Sequence, residues 1–287
     1  GEAWILLLNL YFRDRKNMLY LKNAQRVSHI EVLDRGFHYG DGCFTTARIR
    51  HNRIELYDRH LTRLQNSNQS LSLNANLDLI TESLQLLGES EGKLNGTLKI
   101  VLSRGVGQRG YSLPDHPADL WLFYYPQDIQ DFKFEQIQSG VLQQAVGLTM
   151  PSLVGLKTLN RLEQVLLKQE ADQRGWPEAI VTDVQGGIVE GVSSNCFILI
   201  KNTWITPELR YNGVFGVMRA EILQRMQDQG IVYEQRYIGM DEISHIRSLF
   251  FCNALSPMKI VTQFEQRTLD GDACIEIFNR LRLNQMS

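Results

Sequence analysis

Residues 155–197 constrain this chain more than any other stretch. They read G-L-K-T-L-N-R-L-E-Q-V-L-L-K-Q-E-A, then two short apolar runs, then G-V-S-S-N-C-F. Leu159, Leu162, Val165, Leu166 and Gln169 fall on one side of a predicted helix, and Gly175 with Pro177 stops it. Glu178–Asp183 and Gly187–Glu190 then predict two strands joined by a Gln-Gly-Gly turn. Two charges stand at the ends of these elements: Lys157 before the helix, and Glu190 closing an apolar strand. Taken singly, each is more often an ordinary surface residue. Delivered together to the ends of neighbouring elements, an amine and a carboxylate can face one small molecule.

The rest of the chain sets bounds. With 287 residues it holds one large domain or two modest ones, with ample core. Its 43% hydrophobic and 22% charged content is ordinary for a soluble globular protein, and the pattern is mixed α/β with a break near residue 130. A net charge of −2 gives no reason to expect a nucleic acid or an anionic membrane as partner. Cys43, Cys196, Cys252 and Cys274 form no C-x-x-C pair and suggest no metal site. They predict buried free thiols in a reducing compartment, hence the cytoplasm. Ala3–Phe12 is apolar but shorter than the roughly 20 residues that span a bilayer, and it lacks a signal-peptide pattern. Residues 1–17 are read as an extension ahead of the domains.

From Met18 the chain predicts two strands to Val32, then a glycine-rich turn over Asp34–Gly42 feeding a strand through Arg48. Asn52 marks a hairpin turn, and Asp58 is the expected N-cap of a helix carrying His60, Leu61, Arg63 and Leu64. Leu77, Ile80, Leu84 and Leu87 predict another helix, ending at Gly88. After an alternating strand over Leu98–Ser103, Gly105, Gly107 and Gly110 spell a literal G-x-G-x-x-G. The dinucleotide fingerprint needs a helix to begin there, and Pro114 and Pro117 forbid one, so a nicotinamide site is rejected. A strand over Asp119–Tyr125 leads to a connector at Pro126–Phe132, and Gln138–Leu148 predicts the next strand. Beyond the central stretch, a helix spans Met218–Gln229, and a last amphipathic helix carries Ile275, Phe278 and Leu281.

The spacing of Lys157, then E-x-x-x-x-N-x-F at Glu190, Asn195 and Phe197, then Thr206 and Gly216-Val217-Met218-Arg219 resembles the branched-chain and D-amino-acid aminotransferases. These are the fold type IV pyridoxal-phosphate enzymes. Within that family, four blocks are similar to the aminodeoxychorismate lyases: D-G-C-F-T-T-A-R, S-R-G-x-G-x-R-G-Y, K-T-L-N-R-L-E-Q and C-N-A-L. The resemblance implies an α/β (α+β) fold of D-amino-acid aminotransferase-like architecture, in two domains. A smaller one spans 18–127; a larger one spans 128–287 and carries the lysine. It also implies a homodimer.

The resemblance further implies pyridoxal 5'-phosphate as cofactor, held covalently by Lys157, with Glu190 at the pyridine nitrogen. Arg63, in H-x-x-R-L, and the backbone N–H groups of Val217 and Met218 would take the phosphate. Relatives often add a hydroxyl where this chain has Ala254, and Asn253 is the expected substitute; Trp204 departs from the usual aliphatic residue. The implied reaction is conversion of 4-amino-4-deoxychorismate to 4-aminobenzoate and pyruvate, a step of folate biosynthesis, with Lys157 as general base. A substrate with two carboxylates calls for arginines, Arg109 first and Arg48 second, with Tyr111 and Thr45 as polar contacts. The alternative is a D-amino-acid or branched-chain aminotransferase, which would share Lys157, Glu190 and Arg63.

Overall fold

The computed structural model describes residues 18–128 and 130–287, so the expected extension over residues 1–17 lies outside the described residues. The chain divides into two compact units, one reaching to Gln130 and including Ser287, the other Asp131–Met286.

The first unit is a six-stranded sheet in the order β2-β1-β6-β5-β3-β4, every neighbouring pair antiparallel. Its strands are β1 (Leu19–Lys22), β2 (Gln25–Arg26), β3 (Gly42–Arg50), β4 (Arg53–Ile54), β5 (Gly96–Ser103) and β6 (Asp119–Pro126). Among the described residues, three helices accompany them: α1 (Arg35–Tyr39), α2 (Tyr57–Ser70) and α3 (Leu79–Glu91). Two-residue turns with positive φ close the hairpins at Asn23-Ala24 and His51-Asn52, which is the conformation whose twist matches paired strands. From Cys43 onward, strand β3 alternates strictly. Cys43, Thr45, Ala47 and Ile49 are buried, with Leu64 of α2 and Ile80 and Leu87 of α3 in the same apolar core.

Four expectations need correction here. The turn after Asp34 holds the short helix α1, whose N-cap is Asp34 accepting from the Gly36 N–H at 2.7 Å. Helix α2 starts after Leu56 in the left-handed region, so Asp58 lies in the first turn rather than capping it. Helix α3 runs through Gly88 to Glu91, because that glycine sits on an open face where no packing ends the helix. Finally, the second N-terminal strand stops at Arg26.

The second unit contains a seven-stranded and a three-stranded sheet. The larger follows β13-β12-β11-β14-β15-β16 with β7 added beside β15, and the smaller follows β10-β9-β8. The strands are β7 (Glu135–Ser139), β8 (Val141–Val146), β9 (Ile180–Asp183), β10 (Ile188–Glu190), β11 (Asn195–Ile200), β12 (Thr203–Pro207), β13 (Tyr233–Arg236), β14 (Ile246–Asn253), β15 (Ser256–Phe264) and β16 (Arg267–Thr268). The helices are α4 (Leu162–Arg174), α5 (Val217–Asp228) and α6 (Gly271–Arg280). The single strand expected over Gln138–Leu148 is two, which change partner at Gly140: β7 runs along β15, and β8 along β9. All four cysteines are free and buried. Trp204 packs edge-on to Phe250, and Phe250 stacks on Phe197, so the departure at Trp204 is absorbed in the core.

Helix α4 overturns its predicted inner face. Leu167 and Ala171 are the residues it buries, in a cluster with Leu142 and Val181, while Leu162 is 71% and Val165 61% exposed. The apolar stripe read from the sequence is real, but it does not face this unit's core. Among the described residues, no helix is long and apolar enough to cross a membrane.

Candidate active site

In the second unit the candidate residues converge through one loop. Gly155 has φ +83°, and a Cβ there would strike the Phe215 ring, so only glycine lets this segment approach residues 213–215. Its N–H donates to the Gly213 carbonyl at 3.1 Å, and the Phe215 N–H donates back to the Gly155 carbonyl at 3.1 Å. Lys157 follows two residues later and is half-buried. From the other side, the Val214 N–H donates to Glu190 Oε2 at 3.0 Å. Asn195 Nδ2 donates to the same carboxylate at 3.3 Å and to the Val214 carbonyl at 2.9 Å. One loop therefore ties the lysine-bearing segment to the end of β10.

Glu190 is buried, and this sets its electrostatics. Desolvation pushes its carboxyl from 4.5 up to about 7; the Val214 N–H, then Lys157 and Arg161, pull it back, while Glu178 pushes it further up. A buried carboxyl held this way is suited to a cationic partner. Glu190 and Arg161 both line a cavity of about 190 Å³, with Thr158, Asn160, Gln164 and Asn212. Burial lowers the Arg161 guanidinium from its ordinary value, and Glu190 opposes that shift.

The loop between Glu190 and Asn195 is held by a residue that sequence reasoning missed. Glu178, 2% exposed, accepts from the N–H groups of Ala179, Val192 and Ser193 and from the hydroxyls of Ser193 and Ser194. The strand expected to begin at Glu178 begins at Ile180, which frees Glu178 to turn inward. Its signal was available: two adjacent serines with backbone amides form a nest for a carboxylate.

Helix α5 brings its N-terminus to the same place. Asn195 Oδ1 lies so close to Gly216, the N-cap, that no Cβ could stand there. No side chain caps the helix, so the first amides, those of Val217 and Met218, present the positive end of the dipole. Asn253 corrects an expectation. Its Oδ1 accepts from the Leu255 and Ser256 N–H groups, and its Nδ2 donates to the Ser193 carbonyl. That side chain builds the 253–256 turn, so it is not the spare polar group expected to replace a hydroxyl at Ala254.

In the first unit the candidates separate into three places. Arg63 lies on α2 with Nη1 donating to Thr45 Oγ1 at 3.1 Å, and burial pulls its guanidinium from 12.5 down to about 10. Thr45 is 0% exposed, so the expected substrate contact is corrected: this hydroxyl touches Arg63 and His60 inside the unit. Arg48 lies on the opposite face of β3, as an odd separation along a strand requires. Burial lowers its guanidinium too, with Glu55 opposing.

Arg109 and Tyr111 ride on the glycine-rich loop, where both are exposed. That loop starts no helix. It is pinned from beneath by Arg35, which donates to Asp41 at 2.9 Å and to the carbonyls of Gly110 at 2.7 Å and Tyr111 at 3.2 Å. Arg104, the loop's other arginine, is spent on Asp41 and on the carbonyls of Leu71 and Ser72. Arg109 is thus the loop arginine that stands exposed.

A model of the Amino-transferase class IV family matches residues 42–264. The aminodeoxychorismate lyase of Vibrio harveyi is 30% identical over 245 residues, 83% of this chain and 88% of that protein. The D-alanine aminotransferase of Bacillus licheniformis is 26% identical over 249 residues, 85% of this chain and 86% of that one. Among solved structures, the crystal structure of 4-amino-4-deoxychorismate lyase from Pseudomonas aeruginosa superposes with a TM-score of 0.81 at 30% identity. It covers 92% of this chain and 98% of its own.

Proposed function

The chain belongs to the Amino-transferase class IV family, and on that premise we propose that it is a pyridoxal 5'-phosphate-dependent lyase. It converts 4-amino-4-deoxychorismate to 4-aminobenzoate and pyruvate. The observation that carries this reading is the tie through residues 213–215 between the Lys157 segment and buried Glu190, in a chain 30% identical to a solved lyase.

The residues present fit the cofactor. A buried carboxyl raised to about 7 matches a pyridine ring nitrogen that carries a proton, and an uncapped helix N-terminus matches a phosphate. When bound, the cofactor supplies an electron sink for the carbon that bears the substrate's amine. Lys157 would hold the cofactor through its Nζ, and its amine would be the base for the proton on the amine-bearing carbon. Glu190 keeps the ring nitrogen protonated. Glu178 and Asn195 keep Glu190 in place. The Val217 and Met218 N–H groups would hold the phosphate, and Arg63 would be its cationic partner. Asn253 sets the turn before Leu255 and is given no phosphate contact. Arg109 and Arg48 take the substrate carboxylates, and Tyr111 adds a hydroxyl.

We assign the working form as a homodimer in the cytoplasm. The exposed apolar stripe of α4 and the exposed Val32, Phe37 and Tyr111 of the first unit are surfaces that a second copy would cover. Four free cysteines suit a reducing compartment.

The test is an assay of purified, cofactor-loaded protein for pyruvate and 4-aminobenzoate released together from 4-amino-4-deoxychorismate. A D-alanine and keto-acid pair is assayed beside it. Equimolar release supports the lyase. Amino transfer within the D-alanine and keto-acid pair, without 4-aminobenzoate release from 4-amino-4-deoxychorismate, assigns the chain to the transaminases instead.

A further inference from the structure

Thr45, His60 and Arg63 form a polar group inside the apolar packing of the first unit. Arg63 Nη1 donates to Thr45 Oγ1 at 3.1 Å, and that oxygen lies 2.7 Å from His60 Nδ1. Thr45 and His60 are 0% and 1% exposed. The inward face of β3 is otherwise Cys43, Ala47 and Ile49, all apolar packing residues. Valine has the shape of threonine and suits a buried strand better, whereas a hydroxyl there costs free energy unless it is bonded. The hydroxyl is therefore retained for what it bonds.

We infer that Thr45 is a positioning residue: its hydroxyl, braced by His60, holds the Arg63 guanidinium in the orientation that receives the cofactor's phosphate. The inference rests on the reading of Arg63 as a phosphate ligand. His60 and Arg63 are three residues apart on α2, so both reach the same point of the strand. A hydroxyl has one hydrogen and two lone pairs, which serves both partners at once. A guanidinium is a rigid planar fork, so fixing one of its nitrogens fixes the plane of the whole group. Without that anchor, the long arginine stem must be ordered each time an anion binds.

The test titrates apo-protein with pyridoxal phosphate and with pyridoxal, and reads the ratio of the two dissociation constants. That ratio isolates the phosphate contact from every other contact to the ring. Arg63→Ala is expected to shrink it about a hundredfold, and Thr45→Val about tenfold, as losing a bond to a charged donor implies. Thr45→Ser keeps the hydroxyl and should stay within about threefold of wild type. Affinity for pyridoxal stays unchanged in all three. An unchanged ratio in Arg63→Ala removes the parent reading. A collapsed ratio in Arg63→Ala with an intact one in Thr45→Val leaves Arg63 in place and overturns the role given to Thr45. Equal weakening of both ligands in Thr45→Val overturns it too. Thr45→Ala is the second variant, because it removes the hydroxyl without new bulk. If neither Val nor Ala folds while Ser does, the hydroxyl serves the fold alone and the inference falls.

Discussion

The loop cluster around Glu190 and the glycine-rich loop around Arg109 are built on opposite plans. At Glu190 the candidate carboxylate is itself buried and bonded, and the loop beside it is held by a second buried carboxylate at Glu178. At Arg109 the buried charges, Arg35 and Arg104 on Asp41, hold only the loop's scaffold, while the groups that could meet a ligand stand exposed. The contrast teaches a division of labour. On the proposed function, the cofactor's grip is set in advance, whereas the substrate's contacts are left to be ordered on binding. Substitutions in the first region should damage rate and stability. Those in the second should be felt in substrate affinity.

Lys157→Ala tests the first region most severely. Pyruvate release should fall by more than about a thousandfold, because the variant loses both the covalent anchor and the base. Activity within tenfold of wild type would erase the contrast at its root. Glu190→Gln comes next, with a rate about a hundredfold lower at unchanged substrate KM, since the ring nitrogen loses its charged partner.

The same variant gives a pH signature. In the apo-protein the folded carboxyl titrates near 7 and the unfolded one near 4.5. A raised carboxyl pKa means the folded state binds more protons between those values, so stability is full below 4.5 and declines as pH rises to about 7. The decline is about 3 kcal/mol for a shift of this size, and denaturant titrations across pH should show it in wild type but not in Glu190→Gln.

Glu178→Gln should cost about 1–3 kcal/mol in unfolding free energy, because a neutral amide satisfies fewer of the five donors around it. If thermal melting is unmoved, the nest around Glu178 does not brace the site. Arg109→Ala is the mildest. Its melting should stay within about 0.5 kcal/mol of wild type, as for any exposed side chain. Its KM should rise about tenfold with kcat little changed. A matching loss of cofactor affinity would blur the two plans into one.

Periodicity carried the core strands, the end of α4 and the bounds of α5 to within a residue, and the joint spacing of Lys157, Glu190 and Asn195 pointed to segments that one loop ties together. What escaped did so for physical reasons. Helix α1 is only five residues long and is framed by glycines, so it reads as a turn. The stripe Leu162, Val165 and Leu166 is helical and apolar, yet periodicity does not say which surface covers a stripe, and this unit buries Leu167 and Ala171 instead. Thr45 was legible but misjudged, because strand parity puts it on the buried face of β3, opposite Arg48. Asn253 was expected to stand in for the hydroxyl that relatives often carry at the position of Ala254. Its use in the 253–256 turn depends on a backbone path that side-chain chemistry does not reveal. Glu178 escaped because a glutamate at a strand's start is usually solvated, and only its nest of donors shows otherwise.

The most direct measurement is borohydride reduction of the protein loaded with pyridoxal phosphate, followed by mass analysis of its peptides. The account predicts one reduced cofactor per chain, on the peptide that contains Lys157, and none in Lys157→Ala. A cofactor fixed to any other lysine, or a wild-type chain that captures none, would contradict it.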